Sequence, residues 1–88
     1  MKIRKILYTS HFRRALQRIP RELVRLIRER EKLFKEACFD PQLRTHKLKG
    51  TLRGFWSFSL TYSHRVLFKF EEGGTVIFID VGDHLVYK

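Results

Sequence analysis

Six side chains in the second half of this 88-residue sequence are suited to proton transfer and phosphate binding: His46, Lys47, Lys49, Arg65, His84 and Tyr87. Cleaving RNA without a metal needs a base to take the proton of a ribose 2′-OH and an acid for the departing 5′-oxygen. It also needs fixed positive charge where the phosphate oxygens gain negative charge in the transition state. Imidazole serves either proton transfer, because its pKa of about 6.5 lies near neutral pH. An arginine grips phosphate through two parallel hydrogen bonds, and a tyrosine stacks on a base or donates its hydroxyl. Each residue also has a plainer reading. His46 could be an exposed loop residue, Arg65 the partner of Glu22 or another acid, and His84 with Tyr87 the closure of a core edge. Other chemistries fit worse. The histidines at 11, 46, 64 and 84 lack the close spacing of a zinc site. No glycine-rich phosphate loop is present, and the lone Cys38 permits no internal disulfide. No metal or cofactor is expected.

The elements that must position these residues can be read from spacing. One domain over 1–88 is all the length allows. Residues 2–8 (KIRKILY) read as a first strand, and Ser10 as the N-cap of a short helix over 11–18 with Phe12, Ala15 and Leu16 on one face. Pro20 suits the first turn of a second helix running to about Cys38, with Leu23, Val24, Ile27 and Phe34 at helical spacing. Residues 41–54 read as a polar, basic connection. Period-two alternation then predicts three strands: Trp56, Phe58, Leu60 and Tyr62 half-buried on one face; Val66, Phe68 and Phe70 opposed to Arg65, Leu67 and Lys69; and the nearly continuous TVIFIDV from Thr75. Glu71-Glu72-Gly73-Gly74 is the hairpin turn between the last two, since glycine accepts positive φ. The fold class is therefore α+β, in the order β-α-α-β-β-β: an antiparallel sheet with a two-helix N-terminal hairpin packed on one face.

Charge sets the class of partner. The net charge is +10, and residues 1–53 carry sixteen Lys or Arg against five acids, whereas residues 54–88 carry three against four. So uneven a basic surplus attracts polyanions, nucleic acid first among them; the alternative is a solvated basic helix with no ligand. The apolar run Ile6–Tyr8 is too short for a signal peptide or a membrane span, which makes the cytoplasm the expected location and a membrane an unexpected partner. Composition and spacing by themselves reach a basic α+β nucleic-acid binder and stop there.

Three runs reach further. His46-Lys47-Leu48-Lys49-Gly50-x-Leu52-x-Gly54-x-Trp56-Ser57, then His64-Arg65-Val66-Leu67-Phe68, then Asp80-Val81-Gly82-x-His84 resemble the RelE/ParE superfamily of type II toxins, nearest its YoeB- and YafQ-like branches. The resemblance lies in the C-terminal half; the N-terminal strand and helices agree only in pattern. It implies two helices on an antiparallel sheet and a ribosome-dependent mRNA endonuclease that leaves a 2′,3′-cyclic phosphate or its 3′-phosphate product. By position it implies His46 as general base, Arg65 on the phosphate, His84 as general acid and, more loosely, Tyr87 as the aromatic that orients substrate. Lys47, Lys49 and Arg53 are implied as contacts to mRNA or ribosomal RNA. The implied partners are a cognate antitoxin protein, mRNA and the ribosome. The YafQ-like pattern has further His and Asp residues on the middle strands where Ser59 and Ser63 stand here; His64 could replace them, but as the strand neighbour of Arg65 it points to the opposite face. Two other activities fit the resemblance: a ParE-like inhibitor of gyrase, and a degenerate protein that only binds RNA or an antitoxin.

Overall fold

The computed structural model describes residues 2–83. The chain forms β1 (Lys5–Tyr8), α1 (Ser10–Leu16), α2 (Arg21–Glu36), β2 (His46–Lys47), β3 (Trp56–Ser59), β4 (His64–Glu71) and β5 (Thr75–Asp83), with short 3-10 turns at Pro41–Leu43, Gly50–Leu52 and Glu72–Gly74. The strands lie in one sheet in the order β1-β5-β4-β3-β2.

The helices form where apolar residues recur at helical spacing, and they bury that face against the sheet. Phe34 of α2 is the hub. Its ring stacks on Phe58 at a centroid distance of 5.0 Å and meets Phe68 and Phe78 edge-on at 4.9 and 5.7 Å. Phe12 of α1 meets Phe78 at 5.5 Å. Phe12, Phe34, Phe58, Phe68 and Phe78 are all fully buried, together with Val66, Val76 and Leu43. Cys38 is buried beside them as expected, although α2 has ended at Glu36. Among the described residues, the other face of the sheet holds a small apolar cluster, Leu48 and Leu67 with Leu52, Phe55 and Ile79 packed around them.

Four expectations are corrected. First, the sheet is mixed, since β1 pairs parallel with β5. The β4–β5 hairpin leaves one edge of β5 free, and the direction in which β1 docks there is set by tertiary packing, for which no local signal exists. Second, the N-cap of α1 is Thr9, not Ser10: its hydroxyl accepts from the Phe12 N–H at 3.0 Å and donates to the Ile79 carbonyl at 3.0 Å. That carbonyl belongs to a β-bulge. Leu67 pairs with Asp80 but Phe68 pairs with Phe78, so Ile79 is an extra residue. The bulge resets the alternation of β5 and lets Phe78 and Val81, three apart, both face the core. Third, β3 stops at Ser59 rather than running to residue 62. The Thr61 hydroxyl accepts from the N–H groups of Ser63 and His64, at 3.3 and 3.1 Å, and so closes a turn. Tyr62 therefore stands 91% exposed instead of half-buried. Fourth, the connection over 41–54 contains the two-residue strand β2, paired antiparallel with β3.

Candidate functional site

Alternation along β3 sends Trp56 and Phe58 toward the helices and Ser57 and Ser59 to the other face. On that face the cross-strand pairs are His46 with Ser57 and Ser59 with Arg65. His46 and Arg65 thus flank β3 from either side, two strands apart and two residues out of step, which places their Cα atoms on the order of 11 Å apart. A phosphodiester unit lying across β3 would meet both side chains.

Two contacts hold the His46 ring. Its Nδ1 lies 2.8 Å from the Arg44 carbonyl oxygen. A carbonyl only accepts, so Nδ1 carries the proton and donates, and the lone pair of the neutral ring sits on Nε2. Nε2 lies 3.4 Å from Oγ of the buried Ser57, a long contact that aims the ring along the open face. The carbonyl that sets the tautomer comes from an unusual residue: Arg44 has φ of 50° and ψ of 42°, the left-handed region that non-glycine residues rarely occupy. Arg65, half-buried, donates from Nη1 to Ser59 Oγ at 3.3 Å and makes no ion pair among the described residues. The pairing with Glu22 does not occur.

The electrostatics of this region are one-sided. Residues 41–70, which supply β2, β3 and nearly all of β4, contain six Lys or Arg and no Asp or Glu. An open cleft of about 310 Å³ lies beside Arg65, lined by Gln42, Arg44, Ser59, Leu60, Thr61 and Tyr62. Among the described residues no group of three or more His, Cys, Asp or Glu could hold a metal ion, and no helix is long and apolar enough to cross a membrane.

No protein-family model and no curated protein matches the chain. Solved structures do. A YoeB/ParE toxin from Agrobacterium tumefaciens is 24% identical, with a TM-score of 0.74 over 92% of this chain and 99% of that one. YafQ from E. coli is 13% identical, with a TM-score of 0.78 over 94% and 96%. The RelBE2 toxin–antitoxin complex of Mycobacterium tuberculosis matches at 21% identity and a TM-score of 0.71 over 94% and 93%. The chain has the RelE/ParE toxin fold.

Within that RelE/ParE fold the residues singled out from sequence fall into three groups. His46 and Arg65 share the open face with Ser57 and Ser59. Lys49 and Arg53 are exposed on the segment that folds back over this face, where the Leu48 N–H donates to the Phe55 carbonyl at 3.0 Å. Lys47 is turned away: as the strand neighbour of His46 it faces the helix side, with Nζ 5.6 Å from the centre of the Trp56 ring. His64 points away from Arg65, into a separate cleft of about 500 Å³ shared with His11, Arg14, Arg18 and Asp80. There His11 Nε2 lies 3.2 Å from Asp80 Oδ2. His84 and Tyr87 lie outside the described residues. Sequence reasoning missed Ser57 and Arg44, which hold the His46 ring. The alternation WSFS was a signal for Ser57; the left-handed backbone of Arg44 left none.

Proposed function

We propose that this chain is the toxin of a type II toxin–antitoxin pair and acts as a metal-independent endoribonuclease on mRNA at the ribosome. The observation that carries this reading is the His46 ring, fixed by the Arg44 carbonyl in the tautomer whose Nε2 can accept a proton, on the same face as Arg65 and in a segment, residues 41–70, that holds no Asp or Glu. In the proposed reaction Nε2 takes the proton of a ribose 2′-OH, and the freed oxygen attacks the adjacent phosphorus. Arg65 holds the phosphate oxygens as their charge rises. His84 is assigned the proton that leaves with the 5′-oxygen, Tyr87 the orientation of the substrate, and Lys49, Arg53 and, more remotely, Lys47 contacts to RNA. The products are a 2′,3′-cyclic phosphate and a 5′-hydroxyl.

Support for the partner comes from the neighbours: YafQ is found in complex with DinJ, and RelBE2 is a toxin–antitoxin complex. An acidic antitoxin segment crossing the basic open face would neutralise it and block Arg65. The reading places the protein in the cytoplasm, where mRNA and ribosomes are.

Mapping mRNA 5′ ends in cells after induction of the protein tests the activity. New ends in register with codons are expected for the wild type and should be absent for a variant carrying both Arg65→Ala and His84→Ala. Growth arrest without new ends, together with loss of supercoiling in a purified gyrase assay, would replace the nuclease with a gyrase inhibitor.

A further inference from the structure

The carbonyl that sets the His46 tautomer belongs to a turn, and that turn is tied to the core on the side away from the ring. A neutral imidazole free in water favours the proton on Nε2, the nitrogen that must stay bare here to act as a base. The Arg44 carbonyl, 2.8 Å from Nδ1, reverses that preference. It does so only while residue 44 holds φ of 50° and ψ of 42°, because an extended residue there would turn the carbonyl away. Arginine does not adopt this conformation unaided. The left-handed region costs free energy for any residue with a Cβ, and neighbouring contacts must enforce it.

Those contacts come from the helix side. Thr45 precedes His46, and its side chain turns the opposite way, to the buried Cys38, where its hydroxyl donates to the Cys38 carbonyl at 2.6 Å. The bond spans seven residues and closes a loop that begins just beyond the end of α2 at Glu36. Inside the loop Asp40 caps the 3-10 turn, its Oδ1 accepting from the Gln42 N–H at 2.9 Å, and Leu43 is fully buried. The Arg44 N–H donates to the Pro41 carbonyl at 3.2 Å and so ends the turn. Leu43 is held in the core and Thr45 on Cys38. The left-handed Arg44 makes the reversal between them.

Resting on the nuclease reading above, we propose that Thr45 is a positioning residue for the general base. Its hydroxyl, bound to the Cys38 carbonyl, holds Arg44 left-handed and so keeps the Nε2 lone pair of His46 available to the ribose 2′-OH. Because that hydroxyl lies on the side away from the ring, it acts through the tautomer. Its loss should slow proton transfer and spare substrate binding. The same bond satisfies a part-buried carbonyl, so its removal also lowers stability, and the two roles need separate readouts.

The test compares the wild type with Thr45→Val, which keeps the shape and removes the hydroxyl, and with Thr45→Ser, which keeps the hydroxyl. Nitrogen-15 spectra of the histidine rings at alkaline pH, where imidazole is neutral, report which nitrogen of His46 bears the proton. His46→Gln assigns the signals. In the wild type and Thr45→Ser, Nδ1 should carry it. In Thr45→Val the proton should move toward Nε2, and kcat for mRNA cleavage on ribosomes should fall roughly 2–10-fold, the weight of one hydrogen bond, with KM unchanged. Arg44→Val, whose branched side chain resists positive φ, should shift the tautomer as well, and Arg44→Gly should not. If folded Thr45→Val keeps the proton on Nδ1, or if its tautomer shifts with kcat unchanged, the positioning role is wrong and the nuclease reading stands. Should Thr45→Val fail to fold, an unshifted tautomer in Arg44→Val overturns the role in its place. If the wild type cuts no RNA, free or on ribosomes, the nuclease reading itself falls and takes the positioning role with it.

Discussion

Phe58, Phe68 and Phe78 of β3, β4 and β5 point at the helices and are fully buried, whereas their strand neighbours Ser57, Ser59 and Arg65 point the other way and carry hydrogen-bonding groups. The same strands therefore serve two ends. Toward the helices, five fully buried phenylalanines fill a close-packed core, where the loss of a ring leaves a cavity. Toward the open face, the apolar content of the described residues shrinks to the small Leu48–Leu67 cluster, beside a histidine of fixed tautomer and an arginine with no ion pair among the described residues. Stability should reside on one face and activity on the other. A sheet with period-two side chains can separate the two because a substitution on one face leaves the packing of the other nearly untouched.

That separation can be broken or sharpened by substitution. The largest effect is expected for Arg65→Ala, which should lower RNA cleavage by roughly 10²–10⁴-fold with a melting temperature close to the wild type. A variant that instead loses its fold would show the open face to be structural. Phe34→Ala tests the opposite face. Removing the hub ring should cost about 3–5 kcal/mol in denaturant titration, and any activity should return in full when a lower temperature restores the folded fraction. Thr9→Ala should cost about 1 kcal/mol, somewhat more than a simple cap because the Ile79 carbonyl loses its donor as well. Ser57→Ala sharpens the comparison from the open side. It should leave stability within about 1 kcal/mol and lower kcat more than it raises KM, since it loosens the His46 ring without touching RNA.

The smallest effect is one of pH. Burial, followed by the hydrogen bond to Glu31 and the charge of that carboxylate, pushes the Tyr8 phenol well above its ordinary value. A raised folded-state pKa contributes stability that is present below the unfolded value of about 10 and is lost as pH rises past it. Chemical denaturation should therefore give a stability that falls above about pH 10. The slope should be shallower in Tyr8→Phe.

Much of this architecture is legible in the residues. The apolar positions of α2, the alternation of β4 and the paired glycines of the last hairpin each carry a local pattern that burial obeys. What is not legible is what packing decides. Nothing near residues 5–8 states that they will run parallel to β5, and nothing in TVIFIDV marks Ile79 as the bulged residue. Tyr62 fits the strand pattern well, and only the competition of the Thr61 hydroxyl for two backbone N–H groups removes it. At the site, His46 and Arg65 could be picked by residue type, and the shared face of Ser57, Ser59 and Arg65 follows from alternation. Lys47 looked equivalent to Lys49 only while β2 was read as a connection; two paired residues suffice to send it to the other face.

The parallel pairing of β1 with β5 has a consequence for how the chain comes into being. Lys5 pairs with Thr75 and Tyr8 with Phe78, so the first strand made has no partner until some seventy residues later in synthesis. The bulge carbonyl that completes the Thr9 cap arrives later still. Contacts that distant are slow to close, and they leave strand edges and phenylalanines open to other chains in the meantime. A nascent copy is therefore a helical hairpin beside an unfinished sheet, without the β4–β5 pairing that holds Arg65 in register. The folded face that would bind RNA comes into existence only once β5 has been made and paired with β4.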